Sequence, residues 1–417
     1  MLTQSFGLSD IGRTRNQNED SFLVSPSLEL YVVSDGLGGH ASGEVASQLA
    51  VKTVEEYVTD RKSLIERSRE TPGGHFKLIE VVERAVQEAC RRIYELASKD
   101  KEHAGMATTL TLLLVVDDKA IMAHVGDSRL YIIRNGKVHL ISNDHTLINE
   151  LAQKGSTIDP SRAAASPMAH VLTRSVGNQQ SVSVDTLLFD LVPGDVCLLC
   201  TDGLTQYLTD PGEILEILAP DDLERTGTRL VKLANDRGGK DNITLILVAL
   251  CRDESEGQAE LQRAQEIQLK LATLGNSGLL KGLSFNLLTR ILNNSVIRHC
   301  KASERVIARG DVADGLFVVL DGRLNVHQGN ELVSELRRAD TFGELALIRS
   351  WRARVTIEAE EPSTILFFPR DHFTKMAQRL PRLGCKLLRR IAEHAWQALD
   401  ETLSEDGLEG AHKRTWF

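Results

Sequence analysis

The chain has 417 residues, 42% hydrophobic and 26% charged, with a formal net charge of −9. That length exceeds what one hydrophobic core usually supports, so two domains are expected. An acidic average gives no support for a nucleic-acid or membrane-surface partner, since both select basic patches.

The opening MLTQSFGLSD has no basic stretch leading into an apolar one, and no apolar run approaches the ~18 residues of a membrane span. Six scattered cysteines make no disulfide framework. A cytoplasmic location is expected. A run of β-formers from Leu30 stops at Asp35 and is followed by Gly36, Gly38 and Gly39. Such a stretch is either a phosphate cradle of backbone N–H groups or a tight turn that brings a carboxylate to a metal. Gly43 to Val58 and Phe76 to Ala97 then show apolar residues at helical spacing, broken by TPGG at Thr71 to Gly74. The period changes in TTLTLLLVV, KAIMAHVG, RLYIIRNG and KVHLIS, which are short, β-rich and separated by polar turns, as in an antiparallel meander. Further β stretches at Val182 to Phe189, DVCLLC and NITLILVAL flank helical segments at Pro211 to Leu218 and Asp222 to Asn235. Cys197 and Cys200 form a C-x-x-C inside one of these strands. Their odd spacing sends them to opposite faces, so they read as buried structural thiols rather than a redox or zinc pair.

Together these elements predict a layered α+β domain over 1–252. Leu261, Ala264, Ile267, Leu271 and Leu274 recur at helical spacing, so a helical linker is expected over 253–277. It either packs on a neighbouring domain or forms a short coiled-coil seam. A second domain over 278–405 begins with helical segments, continues as short strands from Val296 to Phe368 and ends in a helix from Asp371 to Leu403. A tail, 406–417, follows and leaves no room for a helix-turn-helix.

Asp20, Asp35, Asp127, Asp202 and Asp241 each sit where a strand or hairpin ends. One alone reads as a turn cap. Together they are the oxygen ligand set of hard cations such as Mg²⁺ and Mn²⁺. The glycine stretch lacks the Lys-Ser/Thr of a nucleotide P-loop, and no His/Cys cluster of zinc type is present.

GRTRNQNEDSF, SDGLGGHASGEVAS, HVGDSRLYIIRNGK, LTRSVG, LLCTDGL and GGKDNIT, in that order across Leu2 to Leu250, resemble the successive motifs of the metal-dependent protein serine/threonine phosphatases, type 2C fold, in their bacterial form. The resemblance implies an antiparallel β-sandwich flanked by helices, with two Mn²⁺ or Mg²⁺ ions in a cleft between the sheets. Asp35 would bridge the ions, the Gly36 carbonyl would bind one, and Asp202 with Asp241 would complete the other. Glu19 and Asp20 would orient water, Asp127 with Asp202 would hold a third ion, and Arg15 would bind the phosphoryl group. The implied reaction is hydrolysis of phosphoserine and phosphothreonine in proteins by a metal-bridging hydroxide, the substrates being a Ser/Thr kinase or its targets. Leu37 stands where animal members have a histidine proposed as general acid. His40 is either the proton donor or a residue bonded locally at the start of a helix. His145 and His170 lie near the segment corresponding to the family's flap and are not assigned as catalytic. The competing reading, a non-catalytic sensor or scaffold, would be favoured by a missing metal carboxylate, and none is missing.

Ala308 to Val326 followed by Phe342 to Ala359 resembles a cyclic-nucleotide-binding domain, implying a β-jelly-roll with flanking helices. Gly343 and Glu344 would begin a short helix, Glu344 would meet the ribose 2′-hydroxyl, and the N–H groups at Leu345 and Ala346 would face the cyclic phosphate of cAMP or cGMP. The family's phosphate arginine, three residues before Thr356, falls on Ala353. Arg352 and Arg354 flank it, and a one-residue bulge would be needed to turn either inward. Two readings stay open: a regulatory nucleotide site, or a degenerate domain that docks partners or dimerises through the linker or C-terminal helix.

Overall fold

The computed structural model describes residues 2–38, 42–71, 73–153, 171–208, 210–251 and 258–403. The chain divides into two compact units, Met1–Glu260 and Leu261–Phe417.

The first unit runs β1 (Leu2–Asp10), β2 (Asp20–Ser25), β3 (Leu30–Leu37), α1 (Ser42–Thr59), α2 (Lys62–Glu70), α3 (His75–Lys99), β4 (Ala107–Thr108), β5 (Leu110–Val116), β6 (Lys119–Val125), β7 (Arg129–Arg134), β8 (Lys137–Leu140), α4 (Leu147–Gln153), β9 (Asp185–Asp190), β10 (Val196–Cys200), α5 (Asp202–Thr205), α6 (Glu213–Ile217), α7 (Leu223–Asp236) and β11 (Ile243–Cys251). One sheet has the order β1-β11-β10-β7-β8, the other β2-β3-β5-β6-β9 with β4 beside β3. The pairing is antiparallel.

The two sheets stack, and each carries helices on its outer face. Alternate residues of β3 and β5 (Leu30, Val32, Leu110, Leu112, Leu114) meet Val54 and Val58 of α1 and Val82, Val86 and Ile93 of α3. On the second sheet Leu198, Leu245 and Leu247 meet Leu230, Val231 and Ala234 of α7. Strands covered on both faces need apolar residues on both, which is why LTLLLVV in β5 is buried throughout. Cys197 and Cys200 are buried, free and on opposite faces of β10, Cys200 facing α7. Asp222 caps α7, its carboxylate accepting from Arg225 N at 2.9 Å.

The second unit begins with α8 (Gln258–Asn276), which crosses the division, and α9 (Phe285–Asn293). Strands β12 (Val296–Cys300), β13 (Arg305–Ile307), β14 (Val312–Ala313), β15 (Gly315–Asp321), β16 (Leu324–Gln328), β17 (Glu331–Leu336), β18 (Thr341–Phe342), β19 (Trp351–Arg352), β20 (Thr356–Ala359) and β21 (Ser363–Pro369) follow. They form sheets β12-β21-β15-β18 and β13-β20-β16-β17 and the ribbon β14-β19. Phe317, Val319, Val326, Phe342 and Ile357 fill the space between the sheets. The expected single final helix is two, α10 (Arg370–Arg379) and α11 (Pro381–Leu403), because Pro381 disfavours helical backbone at Leu380. Leu271 and Leu274 of α8 pack with Leu288, Phe368, Phe373 and Ile391, so the last turns of the linker helix belong to the second core rather than to a coiled-coil seam. Among the described residues no helix is long and apolar enough to cross a membrane.

Candidate active site

The carboxylates converge because both sheets end at the same place. Asp20 and Asp35 lie directly opposite each other on β2 and β3, so their side chains share a face. Asp202 starts α5 immediately after β10, and Asp241 precedes β11. Thr201 joins the sheets: its hydroxyl donates to Asp20 Oδ2 at 2.8 Å, while its backbone N–H donates to Thr244 O at 3.0 Å. Asn242 does the same for the 11–19 loop. Its Nδ2 donates to Ile11 O at 3.0 Å and Gln17 O at 2.9 Å, and its Oδ1 accepts from Glu19 N at 2.9 Å. That loop delivers Arg15, whose Nη2 donates to Asp241 Oδ2 at 2.8 Å. Asp127 follows the Gly126 turn after β6. Next to it, Ser128 Oγ lies 2.7 Å from Thr109 Oγ1, which accepts from Asp35 N at 2.9 Å.

Two glycines are required by close approach. A Cβ on Gly36 would lie 2.1 Å from Gly43 O and 2.6 Å from Glu19 O, and one on Gly203 would lie 1.9 Å from Asn242 O. No side chain fits at either position.

Crowding and burial at one sheet end perturb Asp20, Asp35, Asp127 and Glu19. Burial pushes Asp20 up to about 8; the Thr244 and Thr201 hydroxyls pull the other way, and Asp202 and Asp241 add like charge. Asp35 is held well above the usual carboxylate range by burial and by Asp20, Asp202, Asp127 and Asp241. Asp127 is pushed up to about 7 by burial and then by Asp202 and Asp144. Burial also raises Glu19, against the opposing charge of Arg15. Such a set cannot all ionise without added positive charge. Oxygen donors in that state suit a hard divalent cation. Among the described residues no three His, Cys, Asp or Glu side chains close round one point as a finished cage.

The structure therefore brings Arg15, Glu19, Asp20, Asp35, Gly36, Asp127, Asp202 and Asp241 to one end of the sandwich. His40 and His170 lie outside the described residues, and Leu37, at the end of β3, is half-buried. Thr201, Asn242, Thr109 and Ser128 were not anticipated. Three of them adjoin a motif aspartate, the one signal that could have found them.

In the second unit Gly343 has φ +76°, and a Cβ there would lie 2.7 Å from Gly315 O. It begins the short helix Glu344–Leu347. Glu344 is buried and faces His394 Nδ1 of α11 at 3.4 Å. Thr356 Oγ1 accepts from Arg309 N at 3.2 Å. Two expectations are corrected. The Ala346 N–H, expected to face a phosphate, bonds Gly343 O at 3.0 Å within the turn, while Leu345 is half-buried beside it. Arg352 and Arg354 do not replace the missing phosphate arginine. Ala353 is the inward residue, packed in the apolar core, and both arginines are exposed, Arg352 Nη1 donating to Gly310 O at 2.9 Å. The two β14-β19 pairs, Val312↔Arg352 and Ala313↔Trp351, run in register.

Comparison with known proteins identifies the family of each unit. The protein phosphatase 2C family model matches residues 12–247, and the cyclic nucleotide-binding domain model matches residues 297–380. Protein phosphatase PhpP of Streptococcus pneumoniae is 34% identical over 255 residues, covering 60% of this chain and 98% of that protein. The serine/threonine phosphatase PstP/Ppp of Mycobacterium tuberculosis matches in structure with a TM-score of 0.54 at 31% identity, covering 60% of this chain and 100% of that one. The catalytic domain of PstP solved with two manganese ions matches with a TM-score of 0.52 at 30% identity, covering 60% and 99%. The chain belongs to the protein phosphatase 2C family of serine/threonine phosphatases and carries a cyclic nucleotide-binding domain behind the phosphatase unit.

Proposed function

We propose that the site at the sheet ends hydrolyses phosphoserine and phosphothreonine in proteins with Mn²⁺ or Mg²⁺ held by Asp35, the Gly36 carbonyl, Asp202 and Asp241, and that the C-terminal unit regulates it. The observation that carries this reading is the meeting of Asp20 and Asp35 from one sheet with Asp202 and Asp241 from the other, where burial and then the neighbouring carboxylates raise Asp20 and Asp35. When bound, divalent cations supply Lewis acidity, lowering the pKa of water and neutralising charge on the phosphoryl group.

The side chains do the rest. Arg15 is half-exposed on the rim and holds Asp241 by one nitrogen. Its planar fork can exchange that contact for two phosphoryl oxygens, orienting the group for in-line displacement. Asp20, with Oδ2 fixed by Thr201, takes up a proton from the attacking water, and Glu19 holds that water in line. Asp127 and Asp202 supply oxygens for a third cation. The substrates fit a Ser/Thr kinase or its targets in the cytoplasm of a bacterium.

Mn²⁺-dependent release of phosphate from a phosphothreonine peptide tests the reading. Activity is expected to disappear with chelator and in Asp35→Asn and Asp202→Asn; full turnover by those variants in chelator would sink it.

For the C-terminal unit, the Gly343 turn and buried Glu344 support a cAMP- or cGMP-type ligand, while Ala353 supports a second reading, a partner-docking or dimerising domain. Calorimetry with both nucleotides, alongside the phosphatase assay, decides: neither heat nor a rate change would leave the second reading.

A further inference from the structure

His145 belongs to no element of the catalytic reading, yet it is almost completely buried and saturated with contacts. Its Nδ1 accepts from the Gly126 N–H at 3.1 Å, and its backbone N–H donates to Gly126 O at 2.7 Å. Both polar groups of Gly126 are thus held by one residue. With Nδ1 accepting, the ring proton is assigned to Nε2, which lies 3.2 Å from both Asp185 Oδ2 and Arg174 Nη1. Asp185 in turn accepts from Arg174 Nη1 at 2.8 Å. Burial would raise the Asp185 carboxyl, but His145 and Arg174 hold it below the usual range, so it remains an anion that fixes the ring. His124 packs against the ring at 4.8 Å between centroids and is fully buried.

The backbone of His145 ties a second feature. Its carbonyl accepts from Thr173 N at 2.8 Å, Leu147 N donates to Val171 O at 2.9 Å, and Thr146 bridges Leu172. The described ends of the segment between Thr146 and Leu172 are therefore clasped at this residue. Gly126 approaches Thr109 closely: with φ +111°, a Cβ there would lie 2.6 Å from Thr109, so no side chain fits at the turn. The residue after Gly126 is Asp127.

We propose that His145 is a positioning residue for the cation site. It holds the Gly126–Asp127 turn in register with the neck of the 146–172 segment, so that Asp127 faces Asp202. This rests on the reading that Asp127 and Asp202 hold a cation, and the experiment separates the two. Orienting groups behind a ligand typically set metal affinity by about 10–100-fold.

Full-length His145→Ala, His145→Asn and Asp127→Ala are compared with the parent protein. The asparagine oxygen can take the Gly126 N–H in place of Nδ1 but does not reach Asp185. Three readouts are used: hydrogen exchange at the Gly126 amide without metal, Mn²⁺ titration by calorimetry, and phosphatase rate against Mn²⁺ concentration. His145→Ala is expected to deprotect Gly126, weaken the weakest Mn²⁺ step at least tenfold and recover most of kcat at high Mn²⁺. His145→Asn is expected to restore Gly126 protection and most of the affinity. The proposal is overturned if His145→Ala leaves Gly126 exchange unchanged, or if it lowers kcat at every Mn²⁺ concentration with no shift in the Mn²⁺ dependence. It is equally overturned if His145→Asn behaves as His145→Ala. If Asp127→Ala keeps the parent's Mn²⁺ dependence while His145→Ala still deprotects Gly126, the third-cation reading falls and the tie between His145 and the turn stands.

Discussion

Replacing Asn242 by alanine removes three hydrogen bonds at once, to Ile11 O, Gln17 O and Glu19 N, from a side chain that is 5% exposed. Each partner left unpaired in a partly buried place costs roughly 1 kcal/mol or more, so the 11–19 loop loses about 3 kcal/mol of restraint. That loop carries Arg15 to Asp241 and Glu19 to the site. If Arg15 binds the phosphoryl group as proposed, it must be in place when charge develops there, and loosening it weakens the transition state. If the whole loss is expressed there, kcat/KM for a phosphothreonine peptide falls about a hundredfold, at about tenfold per 1.4 kcal/mol. Because a surface loop can open without global unfolding, the melting temperature should change much less than kcat/KM. The assay is steady-state kinetics at saturating Mn²⁺ together with hydrogen exchange at the Glu19 amide. A kcat/KM within threefold of the parent, with Glu19 still protected, would refute the role given to this asparagine.

The metal-free protein has its own pH signature. Asp20 is raised to about 8 in the fold against about 3.9 when unfolded, and Asp35 and Asp127 shift the same way. The folded state then binds the protons more tightly, so stability is full below about pH 4 and drains as pH rises through about 8. Thermal melts in chelator from pH 5 to 8.5 should show the fall, and Mn²⁺ should remove it; a flat metal-free profile would contradict the carboxylate crowding. For the same reason Asp35→Asn, the variant expected to be inactive, should melt higher than the parent in chelator at pH 8, and a lower melting temperature would count against it. Gly203→Ala should lose soluble expression or at least 3 kcal/mol in a denaturant titration, given a Cβ 1.9 Å from Asn242 O, whereas near-parent stability would mean that the 202–205 turn is looser than described. Arg134 and Asp195 are joined through two bonds of 2.7 and 2.6 Å in the buried second sheet. Removing one partner by Asp195→Ala strands the other charge, and a loss of about 3–5 kcal/mol is expected from chemical denaturation.

What could be read from the sequence follows physical locality. The apolar runs of β5, β10 and β11 and the amphipathic stripes of α1 and α3 announce themselves because their burial depends on neighbours a few residues away. β1 does not: LTQSFGLSD is polar and half-buried, and it is a strand because β11, more than 230 residues on, offers it a ladder from Leu2↔Cys251 to Asp10↔Ile243. The carboxylates were visible for a local reason too, since each stands beside a turn. Their supports were not. Thr201 reaches Asp20 across 181 positions and Asn242 reaches Gln17 across 225, and only the stacking of the sheets brings such pairs together. Arg352 and Arg354 show the limit from the other side. The spacing flagged the place, but which of three adjacent side chains faces inward depends on the backbone bonds of Ala353 to Gly310 and Asp311, which no pattern of side-chain types encodes.

An acidic chain that must receive a phosphorylated partner has to reverse its field locally. Arg15 is a cation that the structure places against Asp241, and one guanidinium cannot offset Asp20, Asp35, Asp202 and Asp241 together. Without metal, Asp20 and Asp35 hold protons at neutral pH; two divalent ions would displace them, cancel the four charges so formed and leave Arg15 in excess, and a third would do the same for Glu19 and Asp127. The protein's own charges repel a phosphate dianion until cations are bound, so metal loading should precede substrate. Electrostatics alone thus predict coupled binding, in which the KM for phosphopeptide falls as Mn²⁺ rises and, by reciprocity, peptide raises the apparent Mn²⁺ affinity. Peptide binding to the metal-free protein, followed by fluorescence anisotropy at low salt, is the direct check: affinity in chelator equal to that in Mn²⁺ would show that Arg15 by itself suffices.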